Sequence, residues 1–151
     1  MSKDNIVDAV RSEMRAAMKS QQKVRLQTIR LIQAEIKRVE VDERILPNNE
    51  RAVLILDKML KQRRDSYDQF QKAGREDLAE KEQIEMKVIQ EFLPEPMPKE
   101  DLERVINDAI SDLNVSGMQA MGKVMGIIKP KLQGRADMSL VSELVKSRLL
   151  R

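Results

Sequence analysis

Apolar residues recur at helical spacing along almost the whole chain. Ile6, Val10, Met14 and Met18 fall every fourth residue, with Ala17 beside them. Ser20 is read as the N-cap of a second helix carrying Leu26, Ile29, Ile32, Ile36 and Val39. Ile45-Leu46-Pro47-Asn48-Asn49 reads as a loop, because Pro and paired Asn favour turns. A long third helix carries Val53, Leu56, Leu60, Tyr67 and Phe70, and Gly74 stands where a left-handed C-terminal residue is wanted. Glu76 and Asp77 open a fourth helix with the charge its N-terminus favours, and it ends at Phe92-Leu93 before Pro94.

Pro94, Pro96 and Pro98 fix φ and lack a backbone donor, so no helix crosses this stretch, which reads as an interdomain hinge. Pro98 followed by Glu100 and Asp101 reads as the first turn of a fifth helix, with an apolar stripe of Leu102, Val105, Ile106, Ala109 and Leu113. Ser116 and Gln119 are three apart and fit a capping box opening a sixth helix. Its stripe is Met118, Met121, Met125, Ile128 and Leu132, read as core, and Pro130 kinks or ends it. Asp137 caps the last helix, expected to bury Leu140, Leu144, Val145 and Leu149. The expected fold is all-α: an N-terminal four-helix bundle-like domain (1–94), a Pro-rich hinge (95–98) and a small three-helix C-terminal lobe (99–151). No strand, internal repeat or low-complexity segment is read.

Composition narrows the chemistry. Aromatic residues are 2% of the chain, which helix seams filled by aliphatic side chains tolerate better than a β-sandwich would. The chain has neither Cys nor His, which removes disulfides, thiolate nucleophiles, the commonest general base and the commonest metal ligand together. No serine has a histidine partner, no Walker motif occurs, and the carboxylates Glu80, Glu82 and Glu85 read as a solvated helix face. We therefore expect no catalytic residues, no metal and no cofactor. No apolar run reaches the length of a membrane span, and MSKDNIVDAV has no signal-peptide core, so a cytoplasmic protein is expected.

Net charge is only +3, so the case for a polyanionic partner rests on how charge is distributed. Lys61, Arg63 and Arg64, with Lys58 nearby, form one basic cluster, but Asp57, Asp65 and Asp68 stand at helical spacing to pair with it. The more informative cluster is Lys123, Lys129, Lys131 and Arg135, in a stretch from Leu113 to Ala136 without an acidic residue. Gly117, Gly122, Gly126 and Gly134 lie in the same stretch. Glycine inside a helix costs about 1 kcal/mol against alanine, so Gly122 and Gly126 call for close helix packing or close approach of a ligand. Basic side chains beside a helix N-terminus suit phosphate.

KQRRDSYDQFQKAGREDLAEKE (61 to 82), the FLPE that follows, and MGKVMGIIKPKLQGRAD (121 to 137) with Leu140 and Val141 resemble the stand-alone proteins of the GatB/YqeY family. The resemblance covers nearly the whole chain. It implies a small bacterial all-α protein with an N-terminal helical bundle and a C-terminal three-helix lobe. It also implies kinship with the tRNA-contacting tail of the glutamine-dependent amidotransferase B subunit, whose catalytic domains are absent here. On this likeness Lys123, Lys131 and Arg135 match the family's basic positions, and Gly122 and Gly134 its glycines. The sequence departs at Met138, where the pattern usually has Gly, and at Pro98, where it usually has a Ser-like cap.

The resulting expectation is a non-catalytic accessory protein that binds tRNA, or an aminoacyl-tRNA synthetase or amidotransferase subunit, through the C-terminal lobe. Four phosphate contacts would give a slope of log affinity against log salt of about −3 to −4. The alternatives are a helical protein–protein adaptor without RNA contact, and an amidotransferase-type carbon–nitrogen ligase.

Overall fold

The computed structural model describes residues 5–151, so the first four residues of the N-terminal stretch lie outside the described residues. Among the described residues there are seven α-helices, one short 3-10 turn and no strand. The chain divides into two compact units, Met1–Pro94 and Glu95–Arg151.

The first unit contains α1 (Ile6–Lys19), α2 (Lys23–Glu43), α3 (Asn49–Lys72) and α4 (Glu76–Phe92). Asn5 and Asn48 begin α1 and α3, their side chains accepting from the amides of Asp8 and Arg51, which satisfies donors a helix start leaves orphaned. Asn49 also ties the two helices together, its Oδ1 accepting from the Ile6 amide at 2.8 Å. Ser20 corrects the capping expectation. It ends α1 instead of opening α2, its Oγ donating back to the Ala16 carbonyl at 2.8 Å, and α2 begins only after Gln21 has turned the chain at φ +56°. The end of α3 is the predicted one: the amides of Gly74 and Arg75 donate to the carbonyls of Gln71 and Phe70, the two bonds of a Schellman turn.

One core joins all four helices, with Ile6 and Val10, Ile29 and Ile32, Leu56, and Ile89 and Phe92 essentially out of water. Met18 lies outside it, half-exposed at the end of α1. Arg25 binds this unit from the rim, donating to Glu13 at 3.0 Å and also to Glu91. Burial in α3 stops at Leu60, and Tyr67 and Phe70, expected in the same stripe, are only half-buried. In the facing half of α4 only Ala79 is buried before Glu85. The distal α3/α4 hairpin is thus held by a thin seam.

At the base of that seam Arg63 Nε lies 3.3 Å from Glu85 Oε2, both side chains mostly covered. The pair is close enough for ionic attraction but not aligned as a hydrogen bond, and Arg63 donates instead to the Met59 carbonyl. One turn away, burial and then the neighbouring Glu85 charge push the Glu82 carboxyl above its ordinary range. A carboxyl raised on folding costs stability where it is ionised, and that cost disappears below its unfolded value near 4.5. We expect Glu82→Gln to raise the melting temperature at neutral pH and to leave it unchanged in acid, as read by thermal melts across pH.

The second unit contains α5 (Lys99–Leu113), the 3-10 turn (Met118–Ala120), α6 (Met121–Leu132) and α7 (Met138–Leu149). Its separate core is built from Leu102, Ile106 and Ala109, from Val124, Ile128 and Leu132, and from Val141, Val145 and Leu149. Pro98 is the residue before α5 rather than its first turn. Leu140, expected to be buried, is 48% exposed, because α7 turns Val141 inward in its place. Of the Met stripe, Met121 and Met125 pack on the core, whereas Met118 is exposed. The capping box at Ser116 does not form. Gly117, at φ +83°, donates its amide to the Leu149 carbonyl at 3.0 Å, and the chain enters α6 through the 3-10 turn. A Cβ at Gly117 would lie 2.6 Å from the Gln119 side-chain oxygen, in an almost glycine-only backbone region that costs L residues about 1–3 kcal/mol. Gly117→Ala should therefore lower the melting temperature of this unit, and Gln119→Ala should relieve only the contact, leaving most of the loss.

Candidate nucleic-acid interface

The expected basic residues of the second unit do not form one cluster. Three of them stand on α6, whose core face is Val124, Ile128 and Leu132. At about 100° per residue, Lys123 and Lys129 are separated by about 120° around the helix, with exposed Gly122, Gly126 and Pro130 on the arc between them. Both lysines are exposed, and neither enters an ion pair among the described residues. Lys131 lies about 160° from Lys129, on the other flank. There it lines a groove of about 190 Å³ together with Asp108 and Asp112 of α5 and with Ile127. Those carboxylates, one helical turn apart, are not readable from the sequence as neighbours of Lys131 in a groove, because nothing local shows that α5 presents them beside α6.

Arg135 is also drawn away. It is half-buried and donates through Nε to the Glu95 carbonyl at 3.1 Å, while its own carbonyl accepts from the Met97 amide at 2.8 Å. Its role in this unit is to tie the Pro-rich stretch to the turn before α7. Gly134 makes that turn at φ +80°, and Asp137 then caps α7 by accepting from the Ser139 amide, the predicted cap. Met138 packs partly buried against the core, which accounts for a bulky residue where the family pattern has glycine.

The glycines of α6 have a different explanation from close helix packing. A Cβ at Gly122 or Gly126 would meet nothing within 4 Å. Gly126 stands four residues before Pro130, so its carbonyl lies under the proline ring and has no amide from position 130 to bond. A residue without a side chain yields most easily to that displacement. The result is an exposed helix face with open backbone, an acceptor carbonyl and two flanking cations. Exposed Ile127 and Met118 border it, at 39% and 44%.

In the first unit, Lys61 is exposed, but Arg63 is the half-buried partner of Glu85 and so belongs to the hairpin seam. Arg64 is half-buried and engaged by a neighbour. Lys61, Arg63 and Arg64 thus do not present three charges to one ligand. Among the described residues no cluster of three or more carboxylates could hold a metal ion, and no helix is long and apolar enough to cross a membrane.

The family model described as Yqey-like protein matches residues 7–149. A protein of Pyrenophora tritici-repentis named altered inheritance of mitochondria protein 41, mitochondrial, is 29% identical over 144 residues, 93% of this chain and 79% of that one. The protein of the same name in Eremothecium gossypii is 39% identical over 85 residues, covering 56% of this chain and 46% of its own length. One subunit of the glutamyl-tRNA(Gln) amidotransferase of Thermococcus gammatolerans is 39% identical over 57 residues, 35% of this chain and 9% of that protein. These names correct the expectation of a cytoplasmic protein: relatives that match most of the chain are called mitochondrial, and they are fungal, so a bacterial assignment has no support. With its match running from α1 to the end of α7, the chain belongs to the Yqey-like protein family.

Proposed function

We propose that this protein is a non-catalytic accessory factor that binds tRNA, or a tRNA-handling enzyme, through the outward face of α6. The observation that carries the reading is the pair of unpaired, exposed lysines, Lys123 and Lys129, flanking open backbone in a stretch without carboxylates. Phosphates would sit at the lysines, and the freed Gly126 carbonyl is an acceptor that a ribose 2′-hydroxyl can donate to. Nothing on this face reads a base edge, so the binding is to backbone and shape. The segment similar to an amidotransferase supports tRNA as the polyanion, and the absence of His and Cys supports an accessory role. We take the location, the mitochondrion, from the names of the relatives. The stretch 95–98 is proposed as the hinge between a helical domain, 1–94, and the basic lobe, 99–151; the hold of Arg135 on Glu95 and Met97 supports a pivot towards Pro94.

The test is retention of a tRNA pool by the purified protein. Lys123→Glu/Lys129→Glu should lose it at unchanged helicity, and unchanged retention discards this site. The second reading, a protein–protein adaptor, is favoured by Ile127 and Met118 beside the lysines. Capture of a synthetase or amidotransferase that survives RNase treatment, without direct tRNA retention, would select it. Purified protein should show neither glutaminase nor transamidation activity, and turnover in either assay would select the carbon–nitrogen ligase alternative.

A further inference from the structure

Helix α2 carries aliphatic residues on two opposite sides. Its inward side, centred on Ile29, Ile32, Ile36 and Val39, is buried in the core of the first unit. Its outward side carries Val24, Gln27, Leu31, Ala34, Arg38 and Val41, all exposed. Val24 is 57% exposed, Leu31 42% and Val41 63%, too much for residues that merely shade one another along a solvated helix. Scattered apolar residues on a helix surface need no partner, so the case for one rests on their spacing and on the charges beside them.

The spacing says which kind of partner. The six positions alternate three and four residues apart without a break, the a and d seam of a coiled coil. The flanking positions are segregated by charge. Lys23, Arg30 and Lys37 hold the g positions, and Thr28, Glu35 and Asp42 hold the e positions. In an antiparallel pair of such helices g faces g and e faces e, so like charges would meet on both sides. In a parallel pair each g faces the e five residues on in the other helix, which matches Arg30 with Glu35 and Lys37 with Asp42. The face is therefore complementary to itself in one orientation only.

We propose that this face of α2 pairs with the same face of a second copy of the chain, in parallel, about a two-fold axis. Ile45 and Leu46, 66% and 47% exposed just beyond α2, meet their counterparts at the same end and extend the contact. Arg38 faces its own copy at one a position and holds Glu35 and Asp42 of its own helix at 3.0 and 3.1 Å, so each carboxylate is shared between Arg38 and a basic residue of the other copy. A single polar a residue of this kind fixes register at a cost in affinity. The seam spans about 26 Å from Val24 to Val41, and a two-helix contact of that length covers less than the roughly 800 Å² per partner of a standard interface. The helix is already folded, so pairing orders no backbone, and the product is a reversible dimer of micromolar or weaker affinity.

Sedimentation equilibrium of the whole protein, from micromolar to millimolar concentration, should show monomer and dimer in exchange. Arg30→Glu/Lys37→Glu makes both flanks acidic, and Glu35→Lys/Asp42→Lys makes both basic. Each variant alone should be monomeric, and their equimolar mixture should regain the dimer. The chain has no native Cys, so Val24→Cys and Val41→Cys give clean orientation probes. Each should form a disulfide with its own copy on mild oxidation. The proposal is overturned by a monomer at every concentration, by dimers that persist in both charge-reversed variants, or by a mixture that stays monomeric. Crosslinking of Val24→Cys only to Val41→Cys overturns the parallel arrangement.

Discussion

Val124→Asp is expected to unfold the second unit while leaving the first unit's transition in place. Val124 is fully buried among Ile106, Ile128 and Val145 in a core that α5, α6 and α7 share. An ionised carboxylate there has no cation to meet, because none of the residues buried in that core is charged. The cost of burying an unpaired charge is several kcal/mol, and a single small core rarely supplies more than about 3–5 kcal/mol in all. The first unit has its own core around Ile29, Leu56 and Ile89, and should melt as before. Circular dichroism should therefore lose roughly the share of helix held by α5, α6 and α7, with one cooperative melt remaining. Full helicity at room temperature in this variant would mean that the second unit is far more stable than its size implies, or that the charge finds water.

The second large effect concerns ligand. Lys123→Glu/Lys129→Glu should weaken retention of tRNA at least about a hundredfold, since a hydrogen bond to a charged group contributes about 1.5–3 kcal/mol and two are lost. Single alanine substitutions separate this from a diffuse attraction to any positive surface. Lys129→Ala should weaken binding, and Lys131→Ala should not, because Asp108 and Asp112 already share its groove. Equal effects from the two would mean that the carboxylates of that groove do not offset Lys131, and that it serves the ligand as Lys129 does.

The helices are legible in the sequence because their apolar positions repeat at a fixed step and their ends carry local signals. Gly74, Asp137 and the acidic start of α4 act within a few residues of themselves, and the sequence shows them directly. Ser20 and Ser116 mislead for the same reason. Each has the residue type of an N-cap, but the choice between closing one helix and opening the next is settled by Gln21 at positive φ in one case and by the bond from Gly117 to Leu149 in the other. Which positions of a stripe are buried depends on neighbours distant in sequence, hence the misplacing of Met18, Leu140, Tyr67 and Phe70.

The site is half legible. An acid-free basic stretch with extra glycines is visible in one dimension, and α6 does present Lys123, Lys129, Gly122 and Gly126 outward. The engagement of Arg135 is not visible there, nor is the setting of Lys131 in a groove with Asp108 and Asp112, because both arise only through the fold. The outward stripe of α2 has its spacing in the sequence too. It is masked by the inward stripe of the same helix, which by itself accounts for a helix packed on one core.

If Lys123 and Lys129 neutralise phosphates on one face of α6, tRNA affinity must fall with salt in proportion to those two contacts. Each released counterion adds about 0.9 to the slope of log affinity against log salt, so the native protein should give a slope near −2 rather than the −3 to −4 of four contacts. Lys123→Glu/Lys129→Glu should bring the residual slope close to zero. An unchanged slope in that variant would contradict the account, because the phosphates would then be held elsewhere.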